Sequence, residues 1–179
     1  MGTGPSSTRK RVVVRKLVAG LIKGFVDPNN YIQGSEVEVL DREGRLVRVP
    51  MSEIKAVFFV RNFEGNPGRA ERKIFRSRPR LAGLWVRMTF KDQEVLEGLI
   101  PNNLVDLHPL GYLIASPDVY SNNLRFFVPR TALMEMSILG VISDGVVLRM
   151  SQRAAQARAA ATRDHPFGPF AATSIPKEK

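Results

Sequence analysis

The feature that most constrains the fold is a phrase that occurs twice in this chain of 179 residues. Residues 21–30 read LIKGFVDPNN, and residues 95–103 read VLEGLIPNN. In both copies a glycine, Gly24 or Gly98, lies inside an apolar segment, and a turn rich in Pro and Asn follows. Glycine weakens a strand unless it permits a bend, a bulge or a close backbone approach. The recurrence therefore predicts two copies of one β-rich unit whose second strand bends.

The second part of each copy supports this interpretation. Residues 45–54 (RLVRVPMSEI) parallel residues 124–133 (LRFFVPRTAL): an alternating strand ends in Val-Pro, and a hydroxyl residue and an aliphatic residue follow. Hairpin turns are predicted at Ala19-Gly20 and at Asp92-Gln93. Each copy then has five short strands, which is typical of a small SH3-like or OB-like barrel. Because one such unit buries little apolar surface by itself, we expect the two copies to pack together.

The predicted fold class is mainly all-β, with two tandem five-stranded small β-barrels of Sm/SH3-like type. Asp144-Gly145 is a hairpin signal, and this extra hairpin completes the second barrel or covers an exposed edge strand. The predicted segments are a basic flexible arm (1–11), a first barrel (12–60), a basic linker (61–84), a second barrel with the extra hairpin (85–150) and a helical or disordered tail (151–179).

The placement of charge points to a polyanionic partner. The net charge is +10; residues 1–16 carry five basic residues and no acid, and residues 61–80 carry seven basic residues against two acids, so these segments hold the whole excess. Clustered charge of one sign favours nucleic acid or another polyanion. The candidate binding residues are Arg9, Lys10, Arg11, Arg15, Lys16, Asn29, Asn30, Arg69, Arg72, Lys73, Arg76, Arg78 and Arg80.

Two segments leave alternatives open. Residues 69–76 are expected to form one or two helical turns anchored by Ile74 and Phe75. The arginines there either follow phosphates with Phe75 stacked on a base, or belong to a tether with Phe75 packed on a barrel. The C-terminal Phe167 and Phe170 belong either to a disordered tail or to a segment that anchors in a partner.

Several function classes are excluded or disfavoured. The absence of cysteine excludes disulfides, thiol catalysis and Cys-ligated metals. Neither His108 nor His165 has metal-ligand spacing to a neighbour, and no phosphate-loop or nucleophile motif occurs. We therefore expect no enzymatic activity and no cofactor. No apolar stretch reaches the length of a membrane span, so the protein is expected to be cytoplasmic and not membrane-spanning. Most acids alternate with apolar residues and are interpreted as facing solvent: Glu36, Glu38, Asp41, Glu43, Glu94 and Glu97.

The sequence VVVRKLVAGLIKGFVDPNN…VPMSEIKAVFFVR resembles the Sm and Hfq-like fold over residues 12–60 and, more weakly, over residues 86–139. Members of that family bind RNA through a loop with Asp and Asn after the second strand, and Asp27, Asn29 and Asn30 match it. They also use a basic turn before the last strand, which this chain lacks because MSE stands there. The phrases AVFFVRNFEG and SPDVYSNNLRFFV resemble an uncharacterised bacterial domain family.

A weaker resemblance is to PilZ domains, which bind cyclic di-GMP. Arg11 and Arg15 form the R-x-x-x-R pair that those domains place before their first strand. The second PilZ motif needs a serine after the second strand, and the segment DPNNYIQG has none.

We therefore expect a non-catalytic nucleic-acid-binding protein that prefers RNA to DNA and uses its basic arm and linker on phosphates. One alternative is a structural or adaptor subunit with protein partners, or a homo-oligomer, formed through edge strands and the tail. Another is a PilZ-like domain that responds to a cyclic dinucleotide.

Overall fold

The computed structural model describes residues 9–65, 68, 70–118, 120–143, 153 and 156. One compact unit ends at Ile142, and the regular elements among its described residues are strands and three short 3-10 turns. A second unit covers residues 143–179, of which three are described. Arg69, the hairpin predicted at Asp144-Gly145 and nearly all of the predicted tail lie outside the described residues. In the described part, no helix has the length and apolar character needed to span a membrane.

The first half of the compact unit contains six strands. All of its pairings are antiparallel, and the strand order is β6-β1-β2-β4-β5, with the short β3 paired to β4. The elements are β1 (Lys10–Lys16), β2 (Leu21–Val26), β3 (Ile32–Gln33), β4 (Glu36–Asp41), β5 (Leu46–Pro50), the 3-10 turn η1 (Met51–Glu53) and β6 (Ile54–Val60).

The second half repeats this arrangement. Its strand order is β11-β7-β8-β9-β10, so the last strand again pairs with the first, and a 3-10 turn again follows a Val-Pro corner. Both predicted hairpin turns are present, and Gln93 reaches the left-handed region with φ 66°. The elements are β7 (Gly83–Phe90), β8 (Val95–Ile100), η2 (Leu104–Asp106), β9 (Gly111–Ala115), β10 (Asn123–Pro129), η3 (Arg130–Ala132) and β11 (Leu133–Ile142).

The two halves join into one open antiparallel sheet of eleven strands, because β6 of the first half pairs with β10 of the second. The prediction of a mainly β chain is confirmed, but the sheet is continuous, whereas two separate barrels were expected. The physical reason is the composition of the joining strands: AVFFV in β6 and FFV in β10 are uninterrupted apolar runs. Uninterrupted apolar runs of this kind are typical of strands that are buried on both faces.

Each half nevertheless has its own hydrophobic core. The joining strands serve both cores, since Phe127 of β10 packs into the first core and Ala56 of β6 into the second. The other members of the first core are Val12, Val14, Val26, Val37, Val39, Val49, Met51, Ile54, Val57 and Phe59. The other members of the second are Leu84, Val86, Met88, Phe90, Ile100, Tyr112, Ile114, Phe126, Val128 and Ala132.

The repeated glycines lie where strands approach closely, which is one of the three roles that the sequence left open for them. A Cβ at Gly24 would overlap the carbonyl oxygen of Leu40 and lie 2.6 Å from Cγ1 of Val39. A Cβ at Gly98 would overlap Cγ2 of Ile114. β2 therefore crosses β4, and β8 crosses β9, at a distance that only glycine permits.

Candidate nucleic-acid interface

The basic linker is folded against the second half, and no helix forms over its described residues. The backbone N–H of Glu97 in β8 donates to the Lys73 carbonyl (2.7 Å), and the Phe75 N–H donates to the Glu97 carboxylate (3.1 Å). The Phe75 ring packs edge-on against Trp85 with 5.8 Å between centroids. Phe75 is thus engaged in packing, as in the tether interpretation, whereas the expected anchor Ile74 is exposed.

Glu97 holds this part of the linker in place. Only 2% of its surface is exposed, and it accepts hydrogen bonds from Arg87 Nη2 (2.7 Å) and Trp85 Nε1 (3.1 Å) as well as from Phe75. Burial alone would raise the pKa of Glu97, but these donors outweigh burial and lower it. The prediction that Glu97 faces solvent is wrong, because a carboxylate with several fixed donors is stable inside a protein.

A cavity of about 450 Å³ lies between the linker and the sheet, and we call it the basic cavity. Its lining brings together Arg15 from β1 with Arg72 and Lys73 from the linker, which are about sixty positions apart in the sequence. The sequence predicted all three as binding residues. The remaining charged and aromatic residues of the lining are Lys55, Glu71, Glu94, Phe58, Phe90 and Phe126.

Lys55 in β6 is the buried cation of the basic cavity, and the sequence analysis missed it. Its side chain is 4% exposed, donates to the carboxylates of Asp92 and Glu94, and lies 4.8 Å from the centre of the Phe90 ring. The sequence contains a signal by which Lys55 could have been found: it is the lone charge within the apolar run of β6. A charge in a strand that is buried on both faces needs fixed partners.

Glu94 links the cations that surround the basic cavity. It accepts from Arg15 Nη1 (3.3 Å), from Lys73 Nζ (3.0 Å) and from Lys55. Burial raises the pKa of Glu94, but hydrogen bonds from Lys55 and Lys73 outweigh it and lower the pKa. The pKa of Asp92 is lowered chiefly by the hydrogen bond from Lys55. Both carboxylates are therefore ionised near neutral pH and hold the cations across the cavity.

Of the other predicted basic residues that the structure describes, Lys16 is partly exposed and the rest are exposed, and all of them lie outside the basic cavity. Arg11 shares a strand face with Arg15 and donates to the Arg61 carbonyl (3.2 Å), whereas Lys16 on the other face pairs with Glu53 (2.9 Å). Arg78 donates to the Val141 carbonyl (3.5 Å). Within the described part of the chain, Arg9, Lys10, Arg72, Arg76 and Arg80 form no ion pair.

Asn29 and Asn30 lie in the turn after β2, and the Asn29 N–H donates to Asp27 Oδ1 (3.0 Å). Asn29 lines a second cavity of about 290 Å³ together with Tyr31, His108 and Phe127. Phe127 and its neighbour Phe126 point to opposite faces of β10, so the second cavity and the basic cavity lie on opposite faces of the joining strands. The structure does not bring these asparagines together with the cations. Burial raises the pKa of Tyr31 to about 12.

Arg11 and Arg15 lie inside β1, whereas the PilZ pattern needs them before the first strand. Over the described residues, no group of three or more His, Cys, Asp or Glu side chains is arranged to hold a metal ion.

Comparison with known proteins identifies a family. Residues 8–140 match the model of DUF6982, a family of unknown function. The chain belongs to this family. Because the match runs from β1 into β11, the DUF6982 model spans both halves and the linker between them. Searches of curated proteins and of solved structures gave no match, and the comparisons give no support for membership of the Sm/Hfq-like or PilZ families.

Proposed function

We propose that this member of the DUF6982 family is a non-catalytic nucleic-acid-binding protein that binds single-stranded RNA in preference to DNA. The observation that carries the proposal is the meeting of Arg15 with Arg72 and Lys73 at one cavity. Two basic segments that hold the whole net charge of the chain thereby contribute to a single surface.

The chemistry of this surface suits phosphate. Arg72 is exposed and has no ion pair with a described acid, so its guanidinium is available for a two-pronged contact with phosphate oxygens. Arg15 and Lys73 are held by Glu94, which fixes their direction but also competes with an incoming anion. A ligand with several phosphates overcomes this competition better than a single phosphate does, and its affinity must fall as salt increases.

The preference for a single strand follows from the aromatic lining and the size of the basic cavity. Phe58 is the partly exposed aromatic side chain of its lining beside the cations, whereas Phe90 and Phe126 are buried. Unstacked bases contact aromatic side chains, whereas the bases of a duplex are already stacked and paired. A cavity of about 450 Å³ is within the range of small-ligand pockets, so it can accept part of one nucleotide.

The test is fluorescence anisotropy with a labelled single-stranded RNA and a matched DNA duplex over a series of salt concentrations. We expect tighter binding of the RNA and a log–log salt slope of roughly −0.7 for each phosphate neutralised. The Arg15→Gln/Arg72→Gln double variant removes one cation from each segment, so the slope should become shallower by about 1.4. The matched control is Arg130→Gln/Arg153→Gln, which lowers the net charge equally at exposed positions outside the lining of the basic cavity.

Absence of RNA binding at physiological salt contradicts the proposal. Equal losses of affinity in the double variant and in its control would mean that total charge, and not the basic cavity, attracts the ligand.

For the fold, we infer that each half is a small barrel of the SH3-like type, with its sheet extended into the neighbouring half. The support is the shared strand order, the 3-10 turn before the last strand and the separate core of each half.

A second candidate function is that of a subunit in a larger assembly. A specific observation favours it: the edge strand β11 exposes Met134, Ile138, Leu139 and Val141. The nucleic-acid proposal does not account for these residues.

A further inference from the structure

The chain contains an interface between its own two halves that can serve as a template for association. The last strand of the first half, β6, pairs antiparallel with the fourth strand of the second half, β10. Phe58 lies opposite Phe126, and Phe59 lies opposite Arg125, whose guanidinium is 4.9 Å from the centre of the Phe59 ring. The pairing therefore joins two different edges of the repeated unit. One edge is formed by its last strand, and the other is formed by the strand before the last.

The equivalent strands at the outer ends of the sheet are β11, the last strand of the second half, and β5, the strand before the last one in the first half. Among the described residues β11 pairs with β7 alone and β5 pairs with β4 alone, so each has an open edge. Both edges expose large apolar side chains, including Leu46 (58% exposed) and Ile138 (60% exposed). Open apolar edges of this kind favour pairing with another strand.

We infer that a second copy of this chain docks head to tail, with β5 of one copy added to β11 of the next. The Val-Pro corners at Val49 and Val128 are 79 positions apart, so each residue of β5 corresponds to the residue of β10 whose number is higher by 79. Each residue of β6 likewise corresponds to the residue of β11 whose number is higher by 79. The register of the β6–β10 pair can therefore be transferred to β5 and β11. The transfer places Leu46 opposite Ile138 and Val47 opposite Ser137. The two most exposed apolar side chains of β5 and β11 then cover each other across the new pair.

The composition of the edges indicates a weaker association than the internal one. The positions equivalent to the core residues Phe127 and Ala56 are Arg48 and Glu135. Arg48 Nε pairs with Glu38 (2.8 Å), so its charge is already satisfied beside the edge. We therefore expect reversible, concentration-dependent association. Since the interface is heterologous, it generates closed rings or filaments and not only a twofold dimer.

The test uses the full chain, freed of nucleic acid, in analytical ultracentrifugation over a range of concentrations. This assembly does not depend on RNA binding, so the two proposals succeed or fail separately. We expect the wild type to exceed the 20.0 kDa of one chain as concentration rises. Leu46→Lys blocks the β5 edge and Ile138→Lys blocks the β11 edge, and each should weaken self-association by about tenfold or more. The matched control Val105→Lys, at an exposed residue of η2, should associate as the wild type does.

The decisive arm mixes the two variants. Each keeps the edge that the other lacks, so an equimolar mixture should form a species of twice the single-chain mass and nothing larger. Leu46→Thr and Ile138→Thr repeat the experiment with milder changes, and thermal unfolding checks that every variant folds. A wild type that is monomeric at all concentrations overturns the inference. Occupation of the β11 edge by the hairpin predicted at Asp144-Gly145 would give that result. A Leu46→Lys variant that associates as strongly as the wild type also overturns it, because that result means that the association does not use the β5 edge.

Discussion

Replacing Lys55 by methionine tests the electrostatic account of the basic cavity. Methionine keeps the length and the contact with Phe90 but leaves Asp92 and Glu94 without their buried donor. Removing one partner of a buried ion pair costs about 3–5 kcal/mol. The loss here should be smaller, since Asp92 is 41% exposed and Glu94 retains Arg15 and Lys73. We expect a loss of about 2–3 kcal/mol at pH 7, which corresponds to roughly 5–10 °C in the melting temperature of a chain of this size.

The pH dependence distinguishes this mechanism from a simple packing defect. The pKa values of Asp92 and Glu94 are lowered in the folded protein. Their contribution to stability is therefore present above the pKa of the unfolded chain and is lost as pH falls through the lower folded values. The difference between the wild type and Lys55→Met should accordingly shrink between about pH 5 and pH 3.

The assay is urea unfolding of both proteins at pH 7 and at the lowest pH at which the wild type remains folded. Lys91→Met, at an exposed residue of the neighbouring turn, is the matched control and should behave as the wild type does. The triple variant Lys55→Met/Asp92→Asn/Glu94→Gln should recover part of the lost stability. A Lys55→Met variant as stable as the wild type at pH 7, or a deficit that does not change with pH, would contradict an electrostatic role for Lys55.

Two other predictions concern the repeat and the attachment of the linker. Gly24→Ala should lower stability by about 1–3 kcal/mol because the new methyl group meets the Leu40 carbonyl. Gly140→Ala should change thermal unfolding little, because no described atom lies within 4 Å of the position of its Cβ. Glu97→Gln should destabilise the protein more at pH 7 than at pH 4, because the pKa of Glu97 is lowered in the fold and its contribution fades as pH falls through that value. The same variant should speed proteolysis of the linker near Phe75, and unchanged cleavage would contradict the proposed attachment.

The sequence predicted the local features of the fold better than the long-range ones. The repeated phrase, the Val-Pro corners and the glycines all report on neighbours within one half, so the strands and their turns could be found. The pairing of β6 with β10 joins strands more than sixty residues apart, and only their unbroken apolar runs indicated burial on both faces.

The site shows the same division between local and distant information. Clustered charge identified Arg15, Arg72 and Lys73, but not that the linker folds back to bring them to one cavity. Glu97 was misassigned because alternation with apolar residues normally marks a solvent-facing position. Its donors come from Arg87, Trp85 and Phe75, and no local pattern reveals partners on another strand and in the linker.

Photo-crosslinking with a thiouridine-substituted RNA, followed by mass spectrometry, shows directly where RNA lies on the protein. If RNA lies at the basic cavity, crosslinked peptides come from residues 70–76 and from the segments that carry Phe58 and Phe126, and the Arg15→Gln/Arg72→Gln variant loses them. Crosslinks confined to the cavity beside Asn29 and Tyr31, or to residues beyond Ile142, would contradict binding at the basic cavity.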